Sequence, residues 1–363
     1  MLYHLFDWLA DHWAPAELLH SITFRSLMAA LTSLGVGIGA VGWLIHWLGK
    51  RRIEEDVTLK DSEELARMHS PKASTPTMGG LGIAGALAGA VLLWAPLDNP
   101  YILLGLFTVA SLAALGFWDD YVKLRVKDRK GLGIREKLLY QTAFMLAVSA
   151  SLFLLHQEGG SVRTFLPLIK TGPALPAFVF IPFVTFVLVA TLNSVNFTDG
   201  LDGLAAGCTA IAAVPLFLLV YAAGRVDYAT YLAIPHVEGA GELAVFAAAL
   251  LGASVGFLWY NCHPAQIFMG DTGSLPLGGA VGFLACSVKQ EFLLLVLGGV
   301  FAAEGLSVVL QVLSFRIFGR RLFLIAPLHH RYQFKGWPES RITIRLWIAA
   351  SGCAAASVAL LRI

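Results

Sequence analysis

The sequence predicts an all-α polytopic membrane protein with about ten transmembrane helices. Three observations predict it. Of its 363 residues, 57% are hydrophobic and only 14% charged, against roughly 25% charged in an average soluble domain. Apolar stretches of about 20 residues, enough to cross a bilayer as a helix, recur along the whole chain. Thirty-six glycines suit close helix approach in lipid. The same composition excludes intrinsic disorder and a disulfide-stapled secreted domain. At a formal net charge of +2 it also excludes a nucleic-acid binder that relies on bulk positive charge. The cysteines Cys208, Cys262, Cys286 and Cys353 lie in or beside apolar runs without paired spacing, and read as small core residues.

Stretches free of Asp, Glu, Lys and Arg cover 26–47, 77–97, 99–118, 138–157, 171–198, 203–224, 243–270 and 272–288. Two further runs carry one interruption each: 292–315 holds Glu304 and 342–361 holds Arg345. The least regular is 275–288, short and containing Pro276. The first residues lack a signal-peptide pattern, with Asp7, Asp11 and Glu17 but no Lys or Arg before Arg25. Loops 48–76, 119–137 and 316–345 share 20 of the 26 Lys and Arg residues. The positive-inside rule therefore places those loops in the cytoplasm and both termini outside. One membrane domain over 1–363 is expected, with cytoplasmic loops near 48–76, 119–137, 193–202, 260–274 and 316–341.

Five segments are too rich in polar residues to be mere connectors: STPTMGG (74–80), WDDYVK (118–123), NSVNFTDGLDGLA (193–205), NCHPAQIFMGDTGS (261–274) and APLHHRYQFKGW (326–337). All five fall on the cytoplasmic side of the ten-span arrangement, which points to one shared site at that membrane surface. Asp119 and Asp120 directly follow an apolar span, with Lys123 one turn on. Asp199 and Asp202, three apart, share a face if their segment is helical. Asp271 sits in a Gly-Asp-Thr-Gly turn. Carboxylates converging beside a low-dielectric wall need a cation, and hard oxygen ligands favour Mg²⁺. Lys72, Lys123, Lys137 and Arg331 offer phosphate contacts; Asn193, Asn196 and Asn261 offer neutral hydrogen bonds; His329 and His330 form an imidazole pair. Together they suggest phosphoryl transfer to or from a lipid.

Each cluster alone has a plainer reading. Asp119-Asp120 suits a solvated loop start, Asp199 an N-cap for a helix near Gly203, Asp271 an ordinary turn, and the His pair an interfacial position. Their concentration on one face argues against all the plain readings at once. Glu304 lies inside an apolar run, where a carboxylate is costly, and marks either function or a buried partner such as a lysine.

At these residues the chain resembles the phospho-N-acetylmuramoyl-pentapeptide transferases, a branch of the polyprenyl-phosphate sugar-1-phosphate transferase superfamily. The resemblance runs from about Thr23 to about Trp347. It rests on TPTMGG, the DDYxK run with a following KGL, NSVNFTDGLDGLA, PAQIFMGDTGS, QEFLLLVLGGVFAAEGLSVVLQV and PLHH with KGWPE. It implies Mg²⁺-dependent transfer of phospho-N-acetylmuramoyl-pentapeptide from its UDP donor to undecaprenyl phosphate, giving lipid I and UMP, in the bacterial inner membrane. By the same resemblance, Asp119 and Asp120 match the paired catalytic aspartates, Asp199 a third, and Asp271 the Mg²⁺ ligand. Lys72, Gly200, Leu201, Asp202, Asn261 and Phe268 match a uridine pocket. Lys123, Lys137, Asn193, Asn196, His329 and His330 match further active-site positions, and Thr77 and Glu304 join the substrate-binding set. The family is usually a homodimer, with a polyprenyl groove beside a bent ninth helix, here 292–317, where Gly298-Gly299 and Gly305 offer bend points. An aspartate, Asp119 foremost, is expected to deprotonate the lipid phosphate for in-line attack; a covalent route through Asp199 or Asp120 is the alternative.

The chain departs from the family pattern after Pro327-Leu328. The usual third histidine is Arg331, and the usual glutamate is Gln333. Two other readings suit parts of the sequence: a sister enzyme using N-acetylglucosamine-1-phosphate, and a secondary transporter. The transporter predicts midplane ionisable residues and repeated halves, which the sequence does not display.

Overall fold

The computed structural model describes residues 2–3, 19–51, 75–125 and 131–361. The expected apolar stretches fall in helices. In order they are α1 (Ile22–Arg51), α2 (Gly80–Trp94), α3 (Pro100–Arg125), α4 (Ile134–His156), α5 (Ala177–Thr198) and α6 (Leu204–Ala223). A short α7 (Val226–Leu232) precedes α8 (Leu243–Asn261) and α9 (Asp271–Ser287). The ninth span is broken into α10 (Leu293–Leu297) and α11 (Gly299–Phe318), and α12 (Leu328–Phe334) and α13 (Glu339–Leu360) complete the chain. Among the described residues, eight helices are long and apolar enough to cross a membrane, and the 15-residue α2 is a shorter apolar helix. A small hairpin, β1 (Ser161–Arg163) against β2 (Ala174–Pro176), pairs antiparallel with Val162 opposite Leu175.

The bundle is built round α9. Every residue from Thr272 to Ser287 is buried, and α9 packs on α3, α5, α6 and α2. A helix enclosed on all sides needs small residues where neighbours approach. Gly278 faces Leu192, Gly279 faces Leu112 and Gly282 faces Leu188. These glycines are what let the segment, least regular in sequence, serve as the central helix. Outside it, α8 packs on α1 and α6, and α13 on α6. At one end, Arg25 of α1 grips Glu242, just before α8, through Nη1–Oε2 at 2.7 Å and Nη2–Oε1 at 2.9 Å.

The ninth span breaks at Gly298, whose ψ of 26° leaves the helical region, as its glycine pair predicted. Gly305 is not a second break: it lets α11 close on Ser194 of α5. The segment between Thr198 and Leu204 is turn, not helix. Asp199 caps the C-terminus of α5, and the N-cap of α6 is Gly203. The conditional expectation that Asp199 and Asp202 share a helical face is therefore not met.

Candidate active site

The polar segments meet at one end of the bundle. α3 runs past its apolar stretch to Arg125, so Asp119, Asp120 and Lys123 occupy its last turns. Lys123 Nζ lies 2.6 Å from Asp119 Oδ2 and 3.3 Å from Asp120 Oδ1, and reaches across to Asp271 Oδ2 at 2.9 Å. Lys137, in the first turn of α4, reaches the same Asp271 oxygen at 2.6 Å. The other Asp271 oxygen accepts from Asn196 Nδ2 of α5 at 2.6 Å, and that amide also bonds Ser274 Oγ. Asp119 Oδ1 accepts the Leu132 N–H at 2.7 Å, so Leu132, the last residue of the KGL run, closes back on the carboxylate.

Asp120 is engaged differently. Its Oδ2 accepts the N–H of Thr272 at 2.9 Å and the Thr272 hydroxyl at 2.7 Å, while Oδ1 accepts the N–H of Asp271 at 3.2 Å. A carboxylate from one helix thus satisfies the unpaired N–H groups at the start of another, where the helix dipole favours negative charge. Two glycines make this approach possible. A Cβ on Gly116 would collide with the backbone of Asp271, and one on Gly270 (φ +70°) would stand 2.5 Å from Asp120 Oδ2. The TPTMGG segment is held alongside by backbone bonds: Phe268 N–H to Pro76 O, and Gly79 N–H to Phe268 O, both 2.8 Å. Thr77 is buried there.

A second group lies apart from this centre. Asp202 Oδ2 accepts from the Ala265 N–H at 3.1 Å and faces His263 Nδ1 at the same distance, and the Asp202 N–H donates to Glu339 Oε1 at 2.6 Å. Asn261 is spent on backbone: Oδ1 accepts from Gly203 N–H at 3.0 Å and Nδ2 donates to Ile267 O at 2.8 Å. Leu201 is buried and Phe268 half-buried. Asn193 lies one turn deeper than Asn196 and donates to Gln141. Lys72 falls outside the described residues.

The histidine loop is anchored by the acid inside the membrane span. Glu304 and His329 are both fully enclosed. The His329 N–H donates to Glu304 Oε1 at 3.2 Å, and its Nδ1 lies 3.3 Å from Oε2. The partner of Glu304 is thus a histidine, not the lysine that the sequence suggested. His329 Nε2 rests on Gly200, where a Cβ would collide with it. The His330 ring lies against that of His329, tilted by 60° with centroids 4.2 Å apart, and its Nδ1 lies 2.7 Å from Gln333 Oε1. Arg331 is exposed.

Oxygens of Asp119, Asp120 and Asp271 lie within 4.8 Å of one another. Three carboxylates against the ammoniums of Lys123 and Lys137 leave one negative charge, and the donors are all hard oxygens. This set fits a divalent cation of the Mg²⁺ type. Sequence reasoning missed Thr272, Ser274, Gln141 and Glu339 as site-shaping residues. Thr272 and Ser274 flank Asp271 inside the quoted motif, which is the signal that could have found them.

A helical bundle with carboxylates and lysines gathered at one end is the architecture of a membrane-embedded phospho-sugar transferase, and the glycosyl transferase family 4 profile matches residues 102–289. The chain is 46% identical to a phospho-N-acetylmuramoyl-pentapeptide-transferase of Nitratidesulfovibrio vulgaris, and 42% identical to one of Desulfatibacillum aliphaticivorans, each over the full length of both chains. A third, from Oleidesulfovibrio alaskensis, is 44% identical over 96% of each chain. The chain belongs to the phospho-N-acetylmuramoyl-pentapeptide-transferase family. It is a multi-pass protein of the bacterial inner membrane.

Proposed function

We propose that this protein transfers phospho-N-acetylmuramoyl-pentapeptide from UDP-N-acetylmuramoyl-pentapeptide to undecaprenyl phosphate, releasing UMP and lipid I for peptidoglycan synthesis. The observation that carries the reading is the Asp119–Asp120–Asp271 cluster with its two lysines at one end of a transmembrane bundle. That is where a soluble nucleotide and a lipid phosphate can meet.

Lys123 and Lys137 bind phosphate oxygens, each able to exchange a carboxylate partner for a phosphate. Asp271, fixed by Asn196, is the principal metal ligand, with Asp119 and Asp120 beside it. When bound, Mg²⁺ supplies charge neutralisation for the donor diphosphate. Asp119 accepts the proton of the lipid phosphate, whose second pKa is about 6. The freed oxygen attacks the phosphorus next to the sugar, and the bond to UMP breaks in line. Asp120 is a positioning residue: three donors from the start of α9, besides Lys123, already occupy its oxygens, which disfavours it as a nucleophile. The polyprenyl tail lies along α11, where Val309, Leu310, Leu313 and Phe315 are exposed beyond the break at Gly298. The site operates in the cytoplasm, in a homodimer.

The test is direct. Purified protein with undecaprenyl phosphate, Mg²⁺ and UDP-N-acetylmuramoyl-pentapeptide forms UMP and a lipid-linked product in equal amounts. With UDP-N-acetylglucosamine as donor it forms neither. Product from the second donor and none from the first would transfer the chain to the sister activity.

A further inference from the structure

At the end of the bundle opposite the carboxylate centre lies a cavity of about 450 Å³. The separation is large. Lys137 near the start of α4 belongs to the carboxylate centre, and His156 at its end lines the cavity, 19 residues on, or about 28 Å at the helical rise. α9 makes the same journey from Asp271 to the cavity-lining Lys289 just beyond its end.

The lining is cationic. Arg163 of β1, Lys170 and Lys289 converge there with His156 and His236, against Glu158 as the one acid of the lining. Neither Arg163 nor Lys289 has a carboxylate within ion-pairing distance among the described residues, and Lys170 Nζ donates to the Leu361 carbonyl at 2.7 Å. Burial lowers the Lys289 ammonium from its ordinary value, against the weaker pull of Glu158 and Glu291.

Two independent features mark the cavity as built for a ligand. His156 is more than nine-tenths buried, and with the Ser287 backbone as the one hydrogen-bonding neighbour of its ring, at least one ring nitrogen has no partner among the described residues, a rare condition for a buried polar group. Four non-glycine residues with left-handed backbone are described, Met78, Lys170, Ala233 and Lys289, and the last three all line this cavity. Such backbone costs conformational energy and clusters at functional sites.

We propose that this cavity is an anion site that binds a phosphate group through Arg163, Lys170 and Lys289, with His156 as a further hydrogen-bond partner. The guanidinium fork and two ammoniums match the several oxygens of a phosphate. Leu168 and Ile169, both exposed beside Lys170, bring an apolar tip next to the cationic lining, so a lipid headgroup phosphate and a free phosphate share this chemistry. The site stands independently of the transfer reaction.

Equilibrium binding to the full-length protein in detergent tests it with two radiolabelled probes, inorganic phosphate and dioctanoyl phosphatidic acid. Lys289→Asn removes the charge with a residue that tolerates left-handed backbone, and Arg163→Gln removes one from an exposed strand position. The expected result is a saturable site for at least one probe, weakened tenfold or more by each substitution, with lipid-transfer turnover unchanged as the check on folding. Preference for phosphatidic acid assigns the site to a headgroup, and preference for inorganic phosphate to a free anion. If Lys289→Asn does not fold, Arg163→Gln alone decides. Both probes behaving alike toward wild type and the folded variants would overturn the proposal.

Discussion

Asp120→Asn is the substitution that most sharply separates placing the metal ligand from doing the chemistry. The Asp120 carboxylate receives three hydrogen bonds from the start of α9. A carboxamide keeps one oxygen for the two donors of Thr272 but turns its NH₂ against the N–H of Asp271. One charge-assisted bond is lost and a buried donor faces a donor, together costing about 2–3 kcal/mol. If that cost falls on the placement of Asp271, turnover drops roughly 30- to 150-fold. Thr272→Val removes only the hydroxyl bond, about 1.4 kcal/mol, and leaves Asp120 charged, so turnover falls about tenfold. Both variants need more Mg²⁺ for half-maximal rate, because both displace its ligand. The assay is UMP release across a Mg²⁺ titration, with detergent-stability curves as a folding control. If Asp120→Asn abolishes turnover while Thr272→Val stays within about twofold with unchanged Mg²⁺ demand, Asp120 takes part in the chemistry and the positioning argument fails.

Three other outcomes follow from the site. Glu304→Gln keeps an acceptor for the His329 N–H, so UMP release falls less than about tenfold; Glu304→Leu leaves that N–H buried and unpaired, and the loss is far larger, by about 1–3 kcal/mol of misplacement. Equal effects of the two would deny Glu304 its anchoring role. Arg331→His changes turnover less than about tenfold, about 1.4 kcal/mol, because Arg331 is exposed, whereas His330→Ala costs much more. A dead parent protein revived by Arg331→His would reverse that ranking. In a background without the four native cysteines, Cys at position 335 reacts with an impermeant thiol reagent only after the inner face is opened, and Cys at position 161 reacts in intact spheroplasts. Reversed labelling would invert the orientation.

The spans were legible because a membrane helix writes its length into a long apolar run; of the two bend points that the resemblance offered in the ninth, Gly298-Gly299 and Gly305, the first is the break. The meeting of the polar segments was legible because charge bias puts them all on one side. What each acid does was not. Asp119 and Asp120 are neighbours in sequence but point about 100° apart round a helix, so one faces two lysines and the other the start of α9. The partner of Glu304 lies 25 residues away, beyond the end of α11 and the loop that leads to α12, a distance no local pattern encodes. Whether Asp199 and Asp202 share a face stayed conditional on a helix there, because glycine-rich turn and helix are hard to tell apart over five residues, and the segment is turn. Nor did a count of basic residues reveal that three of the few on the opposite side, Arg163, Lys170 and Lys289, converge on one cavity.

If Asp271 holds the divalent cation on which transfer depends, Asp271→Asn, which keeps side-chain size and removes one charge, removes the activity. UMP release from UDP-N-acetylmuramoyl-pentapeptide and undecaprenyl phosphate is measured over a Mg²⁺ titration for both proteins, beside their stability in detergent. Wild-type turnover is expected to require Mg²⁺, and the variant to lose turnover at every Mg²⁺ concentration while remaining folded. Near-normal turnover of Asp271→Asn at low Mg²⁺ would contradict that role of Asp271.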